Sequence, residues 1–276
     1  MKTRLAAIAA ILLVLALVLT ACTPVAPQQP TAAPTKAPEA TKAPVPTTVP
    51  SKKYVIASDA TWPPMEFIDE NKQIVGFDID LMNAIAKAMG FAVEFKNTAW
   101  DGIFAGLENG DYDAVLSSVT ITEEKQQKYD FSDPYVNAGQ IVVVLIDETA
   151  IKSNEDLPGK IAGAQIGTTG ALAIQKINGA ILREYDTIDL AFADLLNNVI
   201  DAVVLDTPVA AQFALLSETF KGKLKIVGEA FTDEYYGLVV RKGESADLKN
   251  LFDEGLKKIK ADGTYDKLYA KWIIGK

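Results

Sequence analysis

The sequence contains no histidine and only one cysteine among its 276 residues. The absence of histidine excludes histidine-based catalytic triads, imidazole zinc sites and histidine acid–base catalysis. A single cysteine excludes an intrachain disulfide and a second cysteine-based site. The net charge of −9 argues against a nucleic-acid partner. This inventory favours a binding protein over a hydrolase.

The N-terminus, residues 1–21, has the pattern of a secretory signal peptide. Two basic residues precede an apolar run from Leu5 to Leu19, which is shorter than a typical membrane span. Leu-Thr-Ala then precedes Cys22, and this arrangement resembles a bacterial lipobox. We expect Cys22 to be lipidated and to become the mature N-terminus. The alternative is an ordinary signal peptide followed by an incidental cysteine.

Residues 22–51 are rich in proline, alanine and threonine and contain no aromatic residue. This composition predicts an extended tether, partly in the polyproline-II conformation, that holds a folded domain away from a membrane. About 225 residues remain, enough for one large domain or two small lobes. We therefore expect an extracytoplasmic protein that is anchored to the membrane through its lipid.

The rest of the chain alternates between strand and helix patterns. Apolar, β-branched runs predict strands, and apolar residues at helical spacing between glycines predict helices. The predicted strands are 53–58, 73–77, 92–96, 112–119, 140–146, 160–165, 199–206 and 235–242. The predicted helices are 78–89, 100–111, 167–177, 191–198, 208–220 and the C-terminal segment from 246. This alternation predicts an α/β fold with largely parallel strands covered by helices.

Two segments of the chain echo each other. LENGDYDAVLSSVT (107–120) and LLNNVIDAVVLDTP (195–208) align without gaps, each as a helix end, a turn and a strand. Chance can produce a match this short. The alignment nevertheless places Ser118 and Asp206 at equivalent carboxyl ends of strands, where open α/β sheets bind ligands. Two lobes that face each other would place these residues on opposite walls of one cleft.

Several other polar and aromatic residues also follow predicted strands. Trp62 precedes a Pro-Pro pair and Trp100 begins a predicted helix, so both are candidate aromatic contacts; Trp62 alternatively packs on the domain surface. Asp59 either caps a turn or meets a polar or cationic ligand group. Asp206 either binds an ammonium group or caps the helix that begins at Pro208. Asp101 is interpreted as a helix cap.

Two further motifs give weaker signals. The segment GTTG (167–170) turns into a helix, whose free backbone amides suit an anionic group such as a carboxylate. Its glycine spacing matches neither nucleotide-binding loop pattern. The acids of DID (78–80) are interpreted as a helix N-cap and a solvated acid rather than as metal ligands. No metal and no cofactor are expected.

Taken together, these motifs resemble those of the polar amino-acid solute-binding proteins of ABC importers. The resemblance covers residues 53 to 274. The segments that carry it are WPPMEF (62–67), GFDIDL (76–81), WDG (100–102), DAVLSSVTIT (113–122), FSDPY (131–135), GTTG (167–170) and DTP (206–208). It implies a two-lobed, type II periplasmic-binding-protein-like fold, in which each lobe has a mixed, mostly parallel sheet with flanking helices. Two hinge strands would join a first lobe (52–138 plus 236–276) to a second lobe (139–235).

The resemblance also implies a set of ligand contacts between the lobes. The α-carboxylate of an amino acid would meet Ser118, Thr120, Lys125 and the turn that contains Thr168 and Thr169. Its α-ammonium would meet Asp206. Trp62 and Trp100 would form aromatic walls of the cleft. Asp59 would face the ligand's side chain. The family usually has arginine where this chain has Lys125. Arginine grips a carboxylate with two parallel donors, whereas lysine offers a point charge on a flexible stem.

The expected function is capture of a polar amino acid by a monomer and its delivery to an ABC permease. Asp59, Glu66 and the acidic balance favour a basic amino acid or glutamine. One alternative is a dehydratase of the same fold, like the cyclohexadienyl dehydratases related to this family, with Glu66 or Asp206 as an acid–base group. The other alternative is a sensor domain that delivers its ligand to a signalling receptor.

Overall fold

The computed structural model describes residues 52–275, which lie within one compact unit. The predicted signal peptide, Cys22 and the tether lie outside the described residues. Within residues 52–275 no helix is both long and apolar enough to cross a bilayer.

The strands and helices alternate along the described chain. The strands are β1 (Lys53–Ser58), β2 (Thr61–Trp62), β3 (Glu66–Ile68), β4 (Ile74–Val75), β5 (Ala92–Asn97), β6 (Ala114–Val115), β7 (Tyr129–Phe131), β8 (Val136–Asn137), β9 (Gln140–Leu145), β10 (Ile161–Gln165), β11 (Ile181–Tyr185), β12 (Ala202–Asp206), β13 (Leu224–Val227), β14 (Tyr235–Tyr236) and β15 (Val239–Arg241). The helices are α1 (Phe77–Met89), α2 (Ile103–Asn109), α3 (Glu123–Lys128), α4 (Thr169–Lys176), α5 (Ile188–Leu196), α6 (Thr207–Ala211), α7 (Ala246–Ala261) and α8 (Thr264–Tyr269). Single helical turns of other types span Asn154–Asp156, Gln212–Leu216 and Ala270–Ile274.

The strands form two five-stranded mixed sheets. The first has the order β5-β1-β6-β15-β7, with β1 parallel to both of its neighbours and β15 antiparallel to both of its own. The second has the order β11-β10-β12-β9-β13, with parallel pairs around β10 and antiparallel pairs around β9. The two-lobed α/β prediction is confirmed by this topology and by the related structures reported below.

Two connections carry the chain between the sheets. The chain passes from β7 through β8 into β9, and it returns from β13 through β14 to β15. β8 and β14 pair with each other antiparallel, with Tyr236 opposite Val136. The exact lobe boundaries, 52–138 plus 236–276 and 139–235, stay a prediction.

Burial explains why these segments form sheets. All five residues of β12 are buried, as are the first five of β9, and each strand is apolar except for Asp206 at the end of β12 and Gln140 at the start of β9. Helix α1 buries Phe77, Leu81, Met82 and Ile85 on one face and packs against α7. Polar residues are therefore left mainly at the strand ends, where the two sheets meet.

Gly76 brings the start of α1 against β3. Its φ is +137°, and a Cβ there would lie 2.1 Å from the carbonyl oxygen of Met65. Only glycine fits such a position. The close approach places the first turn of α1 beside Glu66, the neighbour of Met65.

Several predicted boundaries differ from the structure. The helix predicted from Asp78 begins at Phe77 with Gly76 at the N-cap, and the strand predicted over 73–77 is only Ile74–Val75. The strand predicted over 235–242 divides into β14 and β15, which lie in different sheets. The helix predicted over 208–220 is interrupted after Ala211. Six strands were not predicted: β2, β3, β7, β8, β11 and β13. The first four have only two or three residues, and β11 is mostly exposed and lacks an apolar run.

Two interpretations of acidic residues were wrong. Asp78 is not an N-cap: it is fully buried and accepts hydrogen bonds from the Ser118 backbone amide (2.8 Å) and the Tyr135 hydroxyl (2.7 Å). Those donors satisfy the carboxylate away from water. Asp80, the other acid of DID, is partly exposed and pairs with Lys271. Asp101 does not cap α2, because Gly102 holds the N-cap position and no side chain caps the helix.

A candidate amino-acid site between the two sheets

The polar candidates are placed by strand ends and helix starts. Asp59 follows β1 directly, and Asp206 is the last residue of β12. Thr168 caps α4, with its hydroxyl accepting from the backbone amide of Ala171 at 3.3 Å. Thr122 caps α3 in the same way and so fixes the helix that carries Lys125.

One small cavity, with about 20 Å³ of space for the centre of a water-sized molecule, lies between the sheets. The residues that line it are Asp59, Trp62, Glu66, Trp100, Ser117, Ser118, Thr120, Lys125, Thr168, Thr169 and Asp206. All nine predicted ligand-binding residues are therefore brought together, although their contacts with a ligand stay predictions.

Two lining residues, Glu66 and Ser117, were missing from the predicted set. Alternate residues of a regular strand point to opposite faces, so a Ser-Ser pair predicts one serine in the cavity. Ser118 has a φ of +50°, which breaks that alternation and allows both serines to line the cavity. Glu66 precedes Phe67 in a short strand, and no pattern in the sequence indicates that its carboxyl is buried.

At one end of the cavity a cation lies beside two hydroxyl groups, from Thr120 after β6 and from Thr169 at the start of α4. Lys125 donates from Nζ to the carbonyl oxygen of Thr120 at 3.3 Å, and it lies 6.0 Å from the ring centroid of Phe104. The hydroxyls of Thr120 and Thr169 lie 3.3 Å apart and link the two sides of the cavity. Burial lowers the pKa of Lys125, and the Asp206 and Glu234 charges oppose that shift.

Asp206 provides the carboxylate at this same end. Its Oδ2 accepts from the Tyr236 hydroxyl at 2.7 Å, and its Oδ1 accepts from the side-chain amide of Gln140. Asp206 holds the N-cap position of α6, but its side chain makes no capping bond, so the capping alternative is wrong. Burial raises the pKa of Asp206 to about 7, because the charged form loses its hydration.

Asp59 lies at the other end, where it bridges the two lobes. Its Oδ1 accepts from the Thr61 hydroxyl at 2.9 Å. Its Oδ2 accepts from the Trp100 backbone amide at 3.2 Å and from the Gln165 side chain, which belongs to β10, at 3.1 Å. Burial raises the pKa of Asp59.

The hydroxyl of Ser117 connects Glu66 to the backbone of Asp59 through two hydrogen bonds. The Asp59 backbone amide donates to the Ser117 hydroxyl at 2.9 Å, and that hydroxyl donates to Glu66 Oε1 at 2.9 Å. The hydroxyl of Ser118 lies 3.4 Å from Glu66 Oε2. Burial, followed by the charge of Asp78, raises the pKa of Glu66 well above its ordinary value.

The two tryptophans form apolar walls of the cavity. Trp62 is only 7% exposed, so it is not the surface side chain that the alternative described. It precedes the cis peptide bond between Pro63 and Pro64. Trp100 is half-buried and meets Phe104 edge-to-face, with ring centroids 5.5 Å apart.

These contacts divide the polar lining into two groups. Lys125, Thr120, Thr169 and Asp206 offer one cation, one carboxylate and two hydroxyls within a short distance of one another. Asp59, Glu66 and Ser117 form the second group, which contains carboxyls and no base. Within residues 52–275 no cluster of three or more acidic, histidine or cysteine side chains is arranged to hold a metal ion.

Comparison with known proteins gives a consistent family. The chain is 39% identical to the probable histidine-binding protein of Neisseria gonorrhoeae, over 81% of this chain and 84% of that one. It is 36% identical to ABC transporter arginine-binding protein 1 of Escherichia coli K12, over 81% and 91% of the two chains. An ancestral arginine-binding protein bound to arginine has the same fold, with a TM-score of 0.75, 43% identity and coverage of 81% and 99%.

The two curated relatives are named as amino-acid-binding proteins and not as enzymes, and the arginine-binding protein of Escherichia coli is named as an ABC transporter protein. Residues 54–275 match the family described as bacterial extracellular solute-binding proteins, family 3. The chain belongs to this family.

Proposed function

We propose that this chain is a monomeric lipoprotein that captures a basic amino acid or glutamine outside the cytoplasm and delivers it to an ABC permease. The proposed lobes are 52–138 plus 236–276 and 139–235, with the ligand enclosed between them. Cys22 would carry the lipid, and residues 23–51 would tether the binding domain to the membrane. The observation that carries the proposal is the division of the cavity's charged residues into two groups.

The first group matches the two charges that every α-amino acid carries. Lys125 would pair with the α-carboxylate, together with the hydroxyls of Ser118, Thr120 and Thr169 and the capped start of α4 at Thr168. Asp206 would accept from the α-ammonium. A buried carboxylate is costly without a cation, and the ligand supplies that cation when it binds.

The second group determines which side chain is accepted. Asp59 and Glu66 leave this end of the cavity acidic, with no base among its lining residues. A guanidinium or ammonium group would neutralise it, and the amide of glutamine would donate hydrogen bonds to the same oxygens. Trp62 and Trp100 would pack against the aliphatic part of the side chain.

Calorimetric titration of the ligand-free protein with the twenty amino acids and ornithine tests the assignment. We expect arginine, lysine, ornithine or glutamine to bind in the low micromolar range or tighter, and acidic amino acids to show no heat of binding. Acidic side chains should be rejected because they would place a third carboxylate beside Asp59 and Glu66. The amino-acid assignment is wrong if none of the twenty-one compounds binds.

Two other functions predict different results. A dehydratase would convert prephenate or arogenate with Glu66 or Asp206 as its acid–base group, and we expect no turnover of either compound. A sensor would bind the same ligands but would not support import. Uptake of a radiolabelled ligand by host cells with and without this chain separates the two roles, and loss of uptake is expected in its absence.

Replacing Cys22 with alanine should abolish lipid attachment. The acceptor thiol is then absent, so the protein should incorporate no labelled fatty acid and should move from the membrane fraction to the soluble fraction. Ligand affinity should stay unchanged, because Cys22 lies outside the residues that form the cavity. Retention of the alanine variant in the membrane fraction, with the label still incorporated, would contradict the lipoprotein assignment.

A further inference from the structure

Two fully buried carboxyl groups meet at the acidic end of the cavity. Glu66 lines the cavity and Asp78 lies behind it, and both side chains have no exposed surface. The two carboxyls are close enough for each to shift the pKa of the other. Ser118 touches both, with its hydroxyl 3.4 Å from Glu66 Oε2 and 3.5 Å from Asp78 Oδ2.

If Glu66 carries a proton, Asp78 has an oxygen atom that is free to accept it in a hydrogen bond. Asp78 Oδ2 already accepts from the Ser118 amide and the Tyr135 hydroxyl, whereas Asp78 Oδ1 is buried and has no other partner among the described residues. Two carboxyls can meet in this way only if one of them carries a proton. A protonated Glu66 would therefore donate to Asp78 and satisfy the oxygen that is otherwise left alone.

The surroundings supply no cation to either carboxyl. Glu66 and Asp78 form no ion pair with any lysine or arginine of residues 52–275. Asp59, which follows β1, also acts on Glu66 through its charge, and it is another acid. Lys125 lines the same cavity, but it belongs to the other group of polar residues, where it interacts with the charges of Asp206 and Glu234.

The remaining titratable neighbours are tyrosines from three other segments. Tyr135 donates its hydroxyl to Asp78, while Tyr236 on β14 faces Glu66 and Tyr265 on α8 faces Asp78. Burial raises the pKa of Tyr135 and Tyr236 well above the ordinary value, and it raises the pKa of Tyr265 to about 12. These phenols stay neutral at physiological pH, so they hydrogen-bond but do not neutralise the pair.

We propose that Glu66 and Asp78 share one proton in the ligand-free protein and release it when a cationic side chain binds. The pair thereby makes the preference for a cationic over a neutral side chain depend on pH. This inference rests on the proposed function, because it assumes that a basic amino acid and glutamine both enter the cavity. It assigns to Asp78, which lies outside the cavity lining, a part in ligand selection.

The proton balance follows from the charges. Two ionised carboxyls in one buried contact repel each other, so the ligand-free pair carries a single negative charge. In line with this, burial raises the pKa of Asp78 to about 6, and the pKa of Glu66 lies well above its ordinary value. A guanidinium or ammonium group beside Glu66 supplies the missing positive charge, and the proton passes to the buffer. The amide of glutamine carries no charge and leaves the proton in place.

Calorimetry in two buffers with different ionisation enthalpies measures this release. At pH 7, phosphate and Tris give different heats in proportion to the protons exchanged per ligand bound. The ligands compared are arginine and glutamine. Glutamine is the matched control, since both amino acids present the same α-ammonium to Asp206. We expect arginine to release about one proton more than glutamine. The ratio of arginine affinity to glutamine affinity should then rise by up to about tenfold per pH unit across the titration of the pair.

Two variants identify the source of the proton. Glu66→Gln and Asp78→Asn each break the pair while keeping a polar side chain of similar shape, and both should remove the difference between arginine and glutamine. Asp80→Asn is the control, because Asp80 lies two residues along the same helix and pairs with Lys271 outside the cavity. It should keep the difference. An extra proton that persists in both pair variants would come from Asp59 and would overturn the proposal.

A ligand-free measurement separates this proposal from the proposed function. Besides Asp206, whose pKa is about 7, carbon-13 carboxyl spectra should show one further buried carboxyl still protonated at pH 7, and the signal of this further carboxyl should be missing in Glu66→Gln. A wild-type spectrum without it overturns the shared proton. Equal proton release with both ligands bound also overturns the pair's role and leaves the proposed function standing. Failure of arginine to bind the wild-type protein at any pH overturns the proposed ligand class instead.

Discussion

Replacing Asp206 with asparagine is expected to weaken amino-acid binding by about 100-fold or more, which corresponds to about 2.7 kcal/mol. The carboxylate is 6% exposed. Of the three acids that line the cavity, it is the one in the group with Lys125, Thr120 and Thr169, whereas Asp59 and Glu66 lie in the other group. Without it the α-ammonium of the ligand would be buried without a counter-charge. Asparagine keeps the shape of the side chain and can still accept from Tyr236, so the loss reports on charge rather than on packing.

The same substitution should stabilise the ligand-free protein at alkaline pH. The folded-state pKa of Asp206 is raised from 3.8 to about 7, so the folded state binds the proton more tightly than the unfolded chain does. The favourable contribution is complete below pH 3.8 and is lost as the pH rises to about 7. Above that, the wild-type protein carries a buried charge whose lost hydration Lys125, Tyr236 and Gln140 offset only in part, and the asparagine variant does not carry it. The melting temperature of the variant at pH 8 should therefore exceed that of the wild type.

Ligand affinity should show the opposite dependence on pH. The ligand-free carboxyl must lose its proton to meet an ammonium group, so wild-type affinity should fall by up to about tenfold per unit below pH 7. Affinity of the asparagine variant for glutamine, which leaves the proton of the Glu66–Asp78 pair in place, should be flat in that range. Asp147→Asn is the control, since it removes the same charge from an exposed position in the second lobe. Wild-type affinity in the Asp206 variant would show that the ammonium binds elsewhere.

The position of Asp206 also connects the ligand to the segments between the sheets. Its two oxygens are held by Gln140, the first residue of β9, and by Tyr236 in β14. Both residues lie in the two connections that carry the chain from one sheet to the other. If a ligand neutralises Asp206, as proposed, it would change the charge beside the two segments that connect the sheets.

The sequence was sufficient to predict the polar residues at strand ends. Their location follows from topology alone, because side chains that leave the carboxyl ends of neighbouring strands meet at one edge of a sheet. Asp59, Ser118 and Asp206 are of this kind. The internal echo between 107–120 and 195–208 adds that two such edges face each other.

Buried acids could not be predicted in the same way. Asp78 looked like a helix cap, because an acid at a helix start is favoured there and the partners that bury it are distant in sequence. Ser118 lies 40 residues from it and Tyr135 lies 57 residues from it. Glu66 depends in turn on the close approach of α1 that Gly76 permits. The environment of these two carboxyls is determined by tertiary contacts, and local sequence patterns carry no information about such contacts.

Lys125 should prove as important to binding as Asp206. It is the only base that lines the cavity, so Lys125→Ala should cost about 100-fold in affinity for any amino acid with a free α-carboxylate. Lys128→Ala, on the same helix but exposed and paired with Glu124, should leave affinity unchanged. Undiminished binding by Lys125→Ala would remove this residue from the carboxylate contact. Circular dichroism of each variant checks that the fold is retained.

Arginine at this position tests the geometry of the contact. Lys125→Arg should bind equally well or more tightly, because a guanidinium offers two parallel donors to a carboxylate. Burial lowers the pKa of Lys125, so wild-type affinity should also fall as the pH rises through that lowered value and the ammonium is lost. Arginine keeps its charge throughout the accessible range. The variant should therefore hold its affinity to higher pH than the wild type, and an identical alkaline decline in both proteins would assign that decline to another group.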